Sequence, residues 1–243
     1  VTPPVLQLLD VAKDYRGLRP LRIANLSVTR GDRLAILGMD RVAAEVFVNV
    51  ITGATLPDRG DVRLFGRSTA DIGDSAEWLR VVDRFGIVSE RAVLLEALTV
   101  TQNVAMPFTL EIDRLPPGVE SRANQLSAEV GLSASSFDRP VAALDALGHA
   151  RVRFARALAL QPAIVVLEHP TVGVDRHAVG ELATLVHEVC RRRGLAVLAL
   201  TADREFAHAA PFRVLALDAQ TGRLVQQGRR ATGFWRSLLL RRG

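Results

Sequence analysis

An α/β fold with a mostly parallel sheet core, antiparallel edge strands and an inserted helical lobe is what this sequence predicts, and three observations carry it. Apolar runs without alternation, LAIL at 34–37, AIVVL at 163–167 and AVLAL at 196–200, are separated by segments of helical period. Strands buried on both faces of a parallel sheet read this way. Between Leu34 and Gly66 the chain reads as a buried strand to Leu37, a tight turn at Gly38 and a helix carrying Val42, Val46, Phe47 and Val50; a stop at Gly53 and a strand from Val62 to Phe65 follow. From about residue 90 to 148 the pattern turns mostly helical, broken by Pro107, Pro116, Pro117 and Pro140, which marks the inserted lobe.

Taken in order, residues 4–10 and 20–30 form two antiparallel edge strands around the turn KDYRGLRP, signalled by Gly17 and Pro20. Tyr15, the only tyrosine, sits in that turn; its ring either stacks on a base or covers the sheet edge. A helix at 76–84 and a short strand at 85–89 follow the Leu34–Gly66 unit. Two lobe helices, 98–107 and 118–130, precede a core helix at 148–160, the strand 163–167 and the turn EHPTVGVD. The helix 176–193 buries Val179, Leu182, Leu185, Val186 and Val189 on one face, and strands at 196–200 and 213–217 lead to a hairpin-like return at 222–227. The expected organisation is a single domain over 1–228, with core 1–89 and 149–228, the lobe at about 90–148, and a basic tail at 229–243.

The apolar content of 49% in 243 residues supports a real core. No apolar run reaches the roughly 18 residues that span a bilayer, the longest candidate being Gly194 to Ala202. With no signal-peptide pattern at the start and Cys190 as the only cysteine, a cytosolic location is expected. The net charge of +5 resides in the last fifteen residues, whose five arginines meet no acid. The other 228 residues balance 26 basic against 26 acidic groups, which argues against a nucleic-acid-binding face. The tail is suited to anionic lipid or an acidic partner, or is simply a solvated end.

A strand feeding a glycine turn and a helix is the layout of a phosphate-binding loop, in which G-x-x-x-x-G-K-[ST] cradles a triphosphate with backbone N–H groups and a lysine. Counting from Gly38, Ala43 stands at the second glycine, Ala44 at the lysine and Glu45 at the magnesium-binding hydroxyl, with Val46 next. Lys13 is the only lysine in the chain. Asp40 and Glu45 add negative charge to the turn, and Arg41 is placed to screen one of them with an internal ion pair. The frame of the loop is present and its charge chemistry is not.

The connecting segments ITGATLPDRGDVRLFGR, LTVTQNVAMPF, RFARALALQPAIVVLEHPTVGVD and LAVLALTADREFA make the chain resemble the nucleotide-binding subunit of an ATP-binding-cassette (ABC) transporter over essentially its full length. The resemblance implies the P-loop NTPase-like ABC ATPase fold, ATP and magnesium as cofactors, and an integral membrane permease and a second nucleotide-binding subunit as partners. It also implies a cytoplasmic position at the membrane face. It places the adenine-stacking aromatic at Tyr15, the phosphate loop from Gly38 through Asp40, Arg41, Ala43, Ala44 and Glu45 to Val46, and the magnesium-sensing glutamine at Glu90. The LSGGQ signature falls on Leu144 to Gly148, with Asp145 for the serine and Ala146 for a glycine. The Walker B aspartate falls on Glu168, the catalytic glutamate on His169, the D-loop on Gly173, Val174 and Asp175, and the switch histidine on Ala202. Asp145 puts a carboxylate where the serine would donate to the γ-phosphate of a partner's ATP.

His169 reads either as a general base or as a histidine hydrogen-bonded at a strand end, and Glu45, Glu90 and Glu168 as a possible site for a cation held by carboxylate oxygens. Three functions follow: a pseudo-ATPase with a structural or regulatory role on a permease; a subunit that still binds and slowly hydrolyses ATP, aided by an intact partner; or a soluble scaffold unrelated to transport.

Overall fold

The computed structural model describes residues 3–227. The basic tail at 229–243 lies outside the described residues. The edge strands form as expected: β1 (Leu6–Lys13) and β2 (Leu21–Val28) pair antiparallel, with Leu8 opposite Leu26. β3 (Arg33–Leu37) leads through Gly38 into α1 (Arg41–Ile51). Val42 is exposed on α1, whose inward face is instead Ala44, Phe47, Val48, Val50 and Ile51; a helix starting at Arg41 turns position 42 to solvent. The next strand, β4 (Arg59–Leu64), begins three residues before the apolar pattern does, because its first residues pair with β1. β5 (Arg67–Ser68), which the pattern does not mark, closes a four-stranded sheet of order β2-β1-β4-β5.

After α2 (Ser75–Val82) comes β6 (Phe85–Val88). Residues 89–99 are not helical, and the first lobe helix shrinks to α3 (Val100–Ala105). Thr99 caps it in a capping box with Gln102, while buried Asn103 holds the carbonyls of Leu95, Leu98 and Thr99, so the preceding segment is fixed in a turn. α4 (Pro117–Glu129) starts on a proline at its first turn. α5 (Ala146–Leu158) begins two residues earlier than the pattern suggests, because Asp145 caps it. β7 (Ile164–Glu168), α6 (Arg176–Arg193) and β8 (Ala196–Thr201) complete the central unit. A short α7 (Arg204–Ala209), β9 (Arg213–Asp218) and β10 (Arg223–Gln226) follow.

The second sheet runs β10-β9-β3-β8-β7-β6, parallel throughout except for β10. Its central strands feed two cores by alternation. Leu34 and Ile36, Ile164 and Val166, and Leu198 and Leu200 face α1 and the first sheet; Ala35 and Leu37, Val165 and Leu167, and Val197 and Ala199 face the helices α3 to α7. Both faces are apolar, which is why the strands read as unbroken runs.

His187 of α6 is buried against Phe212, and its Nδ1 has no partner among the described residues. Burial and the nearby Arg33 push its pKa below the ordinary value. The native protein therefore binds this proton less readily than the unfolded chain. Its contribution is fully present above about pH 6.5 and is lost as pH falls through the folded value. Melting at pH 7.5 and pH 5.5 should show a loss on acidification that is smaller in His187→Leu.

Candidate functional site

The C-terminal ends of β3, β6 and β7 and the first turn of α1 bring most of the singled-out residues to one place. Gly38 turns the chain with φ of 98°, and a Cβ there would lie 3.1 Å from the Leu217 carbonyl oxygen. Asp40 is the N-cap of α1, its Oδ1 accepting the Ala43 N–H at 2.7 Å. The donor that a helix N-terminus offers to an outside anion is thus taken by a carboxylate of the loop itself. Ala44 is fully buried, and Ala43 and Val46 pack against the core beneath. Lys13 is engaged with Asp58 at 2.7 Å.

Tyr15 is half-buried, its ring folded back over Gly17 and packed on the core. Burial, and then the charge of Asp40, raise its phenol pKa. Part of the ring is thus taken up by packing on the apolar core.

The ion pairs differ from the expected pairing. Arg41 turns away from Asp40 and Glu45 to Glu90, 3.4 Å away, and Glu45 is met by Arg91 at 3.3 Å. The same Arg91 guanidinium reaches Glu168 at 2.7 Å. Glu168 ends β7 with its side chain only 8% exposed. The hydrogen bond from Arg91 to Glu168 raises the arginine's pKa further. Among the described residues no group of three His, Cys, Asp or Glu is arranged around a metal position, so the cation-site expectation for Glu45, Glu90 and Glu168 is corrected. An arginine holds two of these acids and a second arginine the third.

His169 adopts φ of 46°, its backbone N–H donating to the Leu200 carbonyl at 2.8 Å, while its ring Nε2 is buried without a partner among the described residues. The reading of a ring hydrogen-bonded at the strand end is therefore not met at Nε2. Glu90, Arg153, Glu168 and His169 line a cleft of about 10 Å³, room for a single water. Burial lowers the pKa of Arg153, opposed by the charge of Glu90.

Asp145 is exposed at the start of α5, and its Oδ1 accepts the Gly148 N–H at 2.7 Å. The carboxylate expected at the serine position thus also serves as the cap of its own helix while staying exposed. Ala146 stands beside Gly173 of the turn before α6, and Asp175 begins α6 without a side-chain cap. Ala202 is exposed after β8 and carries only a methyl group, which holds no exchangeable proton. Asp145→Ala should cost about 1 kcal/mol in urea unfolding and Asp145→Ser only a few tenths, since serine caps as well.

Sequence reasoning missed Arg91 and Arg153. The only signal for Arg91 was that Glu45 and Glu168 needed a counter-charge.

A family model described as ABC transporter matches residues 21–172. The chain belongs to the ABC transporter family. It is 33% identical over 213 residues to the lipoprotein-releasing system ATP-binding protein LolD of Alcanivorax borkumensis, covering 86% of this chain and 92% of that protein. To the methionine import ATP-binding protein MetN of Rhizobium etli it is 30% identical, over 92% of this chain and 61% of that one. The chain thus spans about three fifths of the methionine-import relatives. Among solved structures, cbiO1 from Clostridium perfringens, part of the transporter complex cbiONQ, superposes with a TM-score of 0.77 at 22% identity, covering 93% and 88% of the two chains. The bacterial cassette MJ0796, solved as a dimer, gives 0.72 at 23%, covering 90% and 96%. The fold of this ABC family member is that of an ABC ATPase cassette.

Proposed function

We propose that the chain is a pseudo-ATPase subunit of an ABC transporter, docked on the cytoplasmic face of a membrane permease and paired with a second cassette subunit. In this reading residues 90–148 act as the lobe between permease and core, and the role is structural or regulatory. The names of the relatives, ATP-binding proteins of lipoprotein release and methionine import, support transport over an unrelated scaffold. The observation that carries the loss of chemistry is the Asp40 carboxylate seated on the α1 N-terminus, with a buried methyl at Ala44 where the family has its lysine. ATP and magnesium are the family's cofactors, and these residues do not fit them. The turn holds acids where phosphate charge would collect, and a guanidinium lies between the carboxylates a metal would use.

A second reading, slow ATP hydrolysis with an intact partner, is favoured by one feature: Tyr15 remains beside the loop. Titration with a fluorescent ATP analogue, with and without magnesium, separates the two. No saturable binding below about 1 mM, weaker than ~4 kcal/mol of affinity, is expected. Low-micromolar binding, or magnesium-dependent turnover abolished in His169→Ala, would overturn the pseudo-ATPase reading.

A further inference from the structure

The contact of Arg91 with Glu45 and Glu168 joins distant parts of the chain. Its three residues come from separate parts of the fold: Glu45 from the N-terminal half of α1, Arg91 from the segment after β6, Glu168 from the last position of β7. Nη2 lies 2.7 Å from Glu168 Oε2 and Nη1 3.3 Å from Glu45 Oε1, so one planar fork spans both carboxylates. Glu168 is the enclosed member and Arg91 and Glu45 are each more than two-fifths exposed, which leaves the arginine as the neighbour that neutralises a buried charge.

Two carboxylates converging from a helix and a strand end are the kind of oxygen donors a hard divalent cation takes, with waters completing the shell. In this chain the point between them carries a positive charge already. We propose that Arg91 is a built-in substitute for a divalent cation, tying α1 to β7 and keeping free metal out of the Glu45–Glu168 site. The guanidinium does not deprotonate in any pH range in which the protein folds, so the substitute is permanent, and the local arrangement is independent of divalent ions. Without it, two like charges face each other, one of them largely enclosed, and metal capture is the available relief. This goes beyond the loss of nucleotide chemistry and is tested with no nucleotide present, so success or failure of ATP binding leaves it untouched.

The experiment uses the full chain, with Mn2+ as the probe, read by electron paramagnetic resonance of the free ion and by melting temperature. Wild type should leave millimolar Mn2+ free and melt within about 1 °C of its metal-free value. Arg91→Ala should melt lower by several degrees, bind one Mn2+ at least ten times more tightly than wild type, and regain at least half of the lost melting temperature with the metal. Arg91→Ala combined with Glu168→Gln should lose that binding and that recovery. If Arg91→Ala does not fold in metal-free buffer, recovery of the folded form on adding Mn2+ decides the same point. Wild type binding Mn2+ as well as the variant would overturn the proposal. So would a variant that is destabilised yet neither binds the ion nor responds to it, which would make Arg91 an ordinary ion pair.

Discussion

A variant carrying Asp40→Gly, Ala43→Gly, Ala44→Lys and Glu45→Ser is expected to bind ATP at least ~100-fold more tightly than the natural chain, a gain of about 2.7 kcal/mol. Each change removes an identified obstacle. Asp40 occupies the Ala43 N–H, and freeing it returns a donor at the positive end of α1. Removing the Asp40 and Glu45 carboxylates relieves like-charge contacts worth about 1 kcal/mol each in water and about 4 kcal/mol near a protein surface, at ~4 Å. The lysine restores a cation in a turn where the chain's single lysine is otherwise tied to Asp58. The same variant without Asp40→Gly should gain less, because the helix start stays capped by its own anion. Titration calorimetry reads the difference directly. No gain in the fourfold variant would mean that the backbone of the loop, and not its contacts, has lost the capacity to hold phosphate.

The second large effect concerns the frame. Gly86→Ala is expected to destabilise the fold by about 3 kcal/mol or more, since its Cβ would sit 2.4 Å from the Ala157 carbonyl oxygen. Both partners are backbone, one in β6 and one in α5, so the strain cannot be relieved by turning a side chain. For a chain of this size that corresponds to a fall of roughly 6–12 °C in melting temperature. Because β6 leads to Glu90 and Arg91 and packs against α5, pushing these elements apart should also loosen the Arg91 contact. Gly118→Ala, at the start of α4 with open space around it, is the control. Helix propensity and reduced unfolded-state freedom make it neutral or slightly stabilising. Equal losses at both positions would remove the argument from close backbone approach.

How far the site was legible varies by residue, for physical reasons. The helix beginning at Arg41 and the strand ending at Glu168 follow from apolar periodicity, so the placement of the loop against β7 was implied once the fold was. The exposure of Val42 was not, because helix phase depends on where the cap falls, and Asp40 fixes it. The partners of the charged groups were the least legible. Arg41 lies next to Asp40 in sequence, yet its guanidinium goes to Glu90, while Glu45 is met by an arginine 46 positions away. Long, flexible side chains choose the partner that the tertiary fold brings within reach.

By itself the chain of letters determined the architecture, since unbroken apolar strands between amphipathic helices have few ways to bury both faces. It also determined that the lysine and hydroxyl of a phosphate loop are missing, because composition and fixed spacing need no coordinates. Only the tertiary structure decided where the remaining charges went. Asp40 and Asp145 cap their own helices, and Arg91 bridges Glu45 and Glu168. Hydrogen bonds and ion pairs act over a few ångströms between groups that the backbone brings close, and that distance is set by the whole fold.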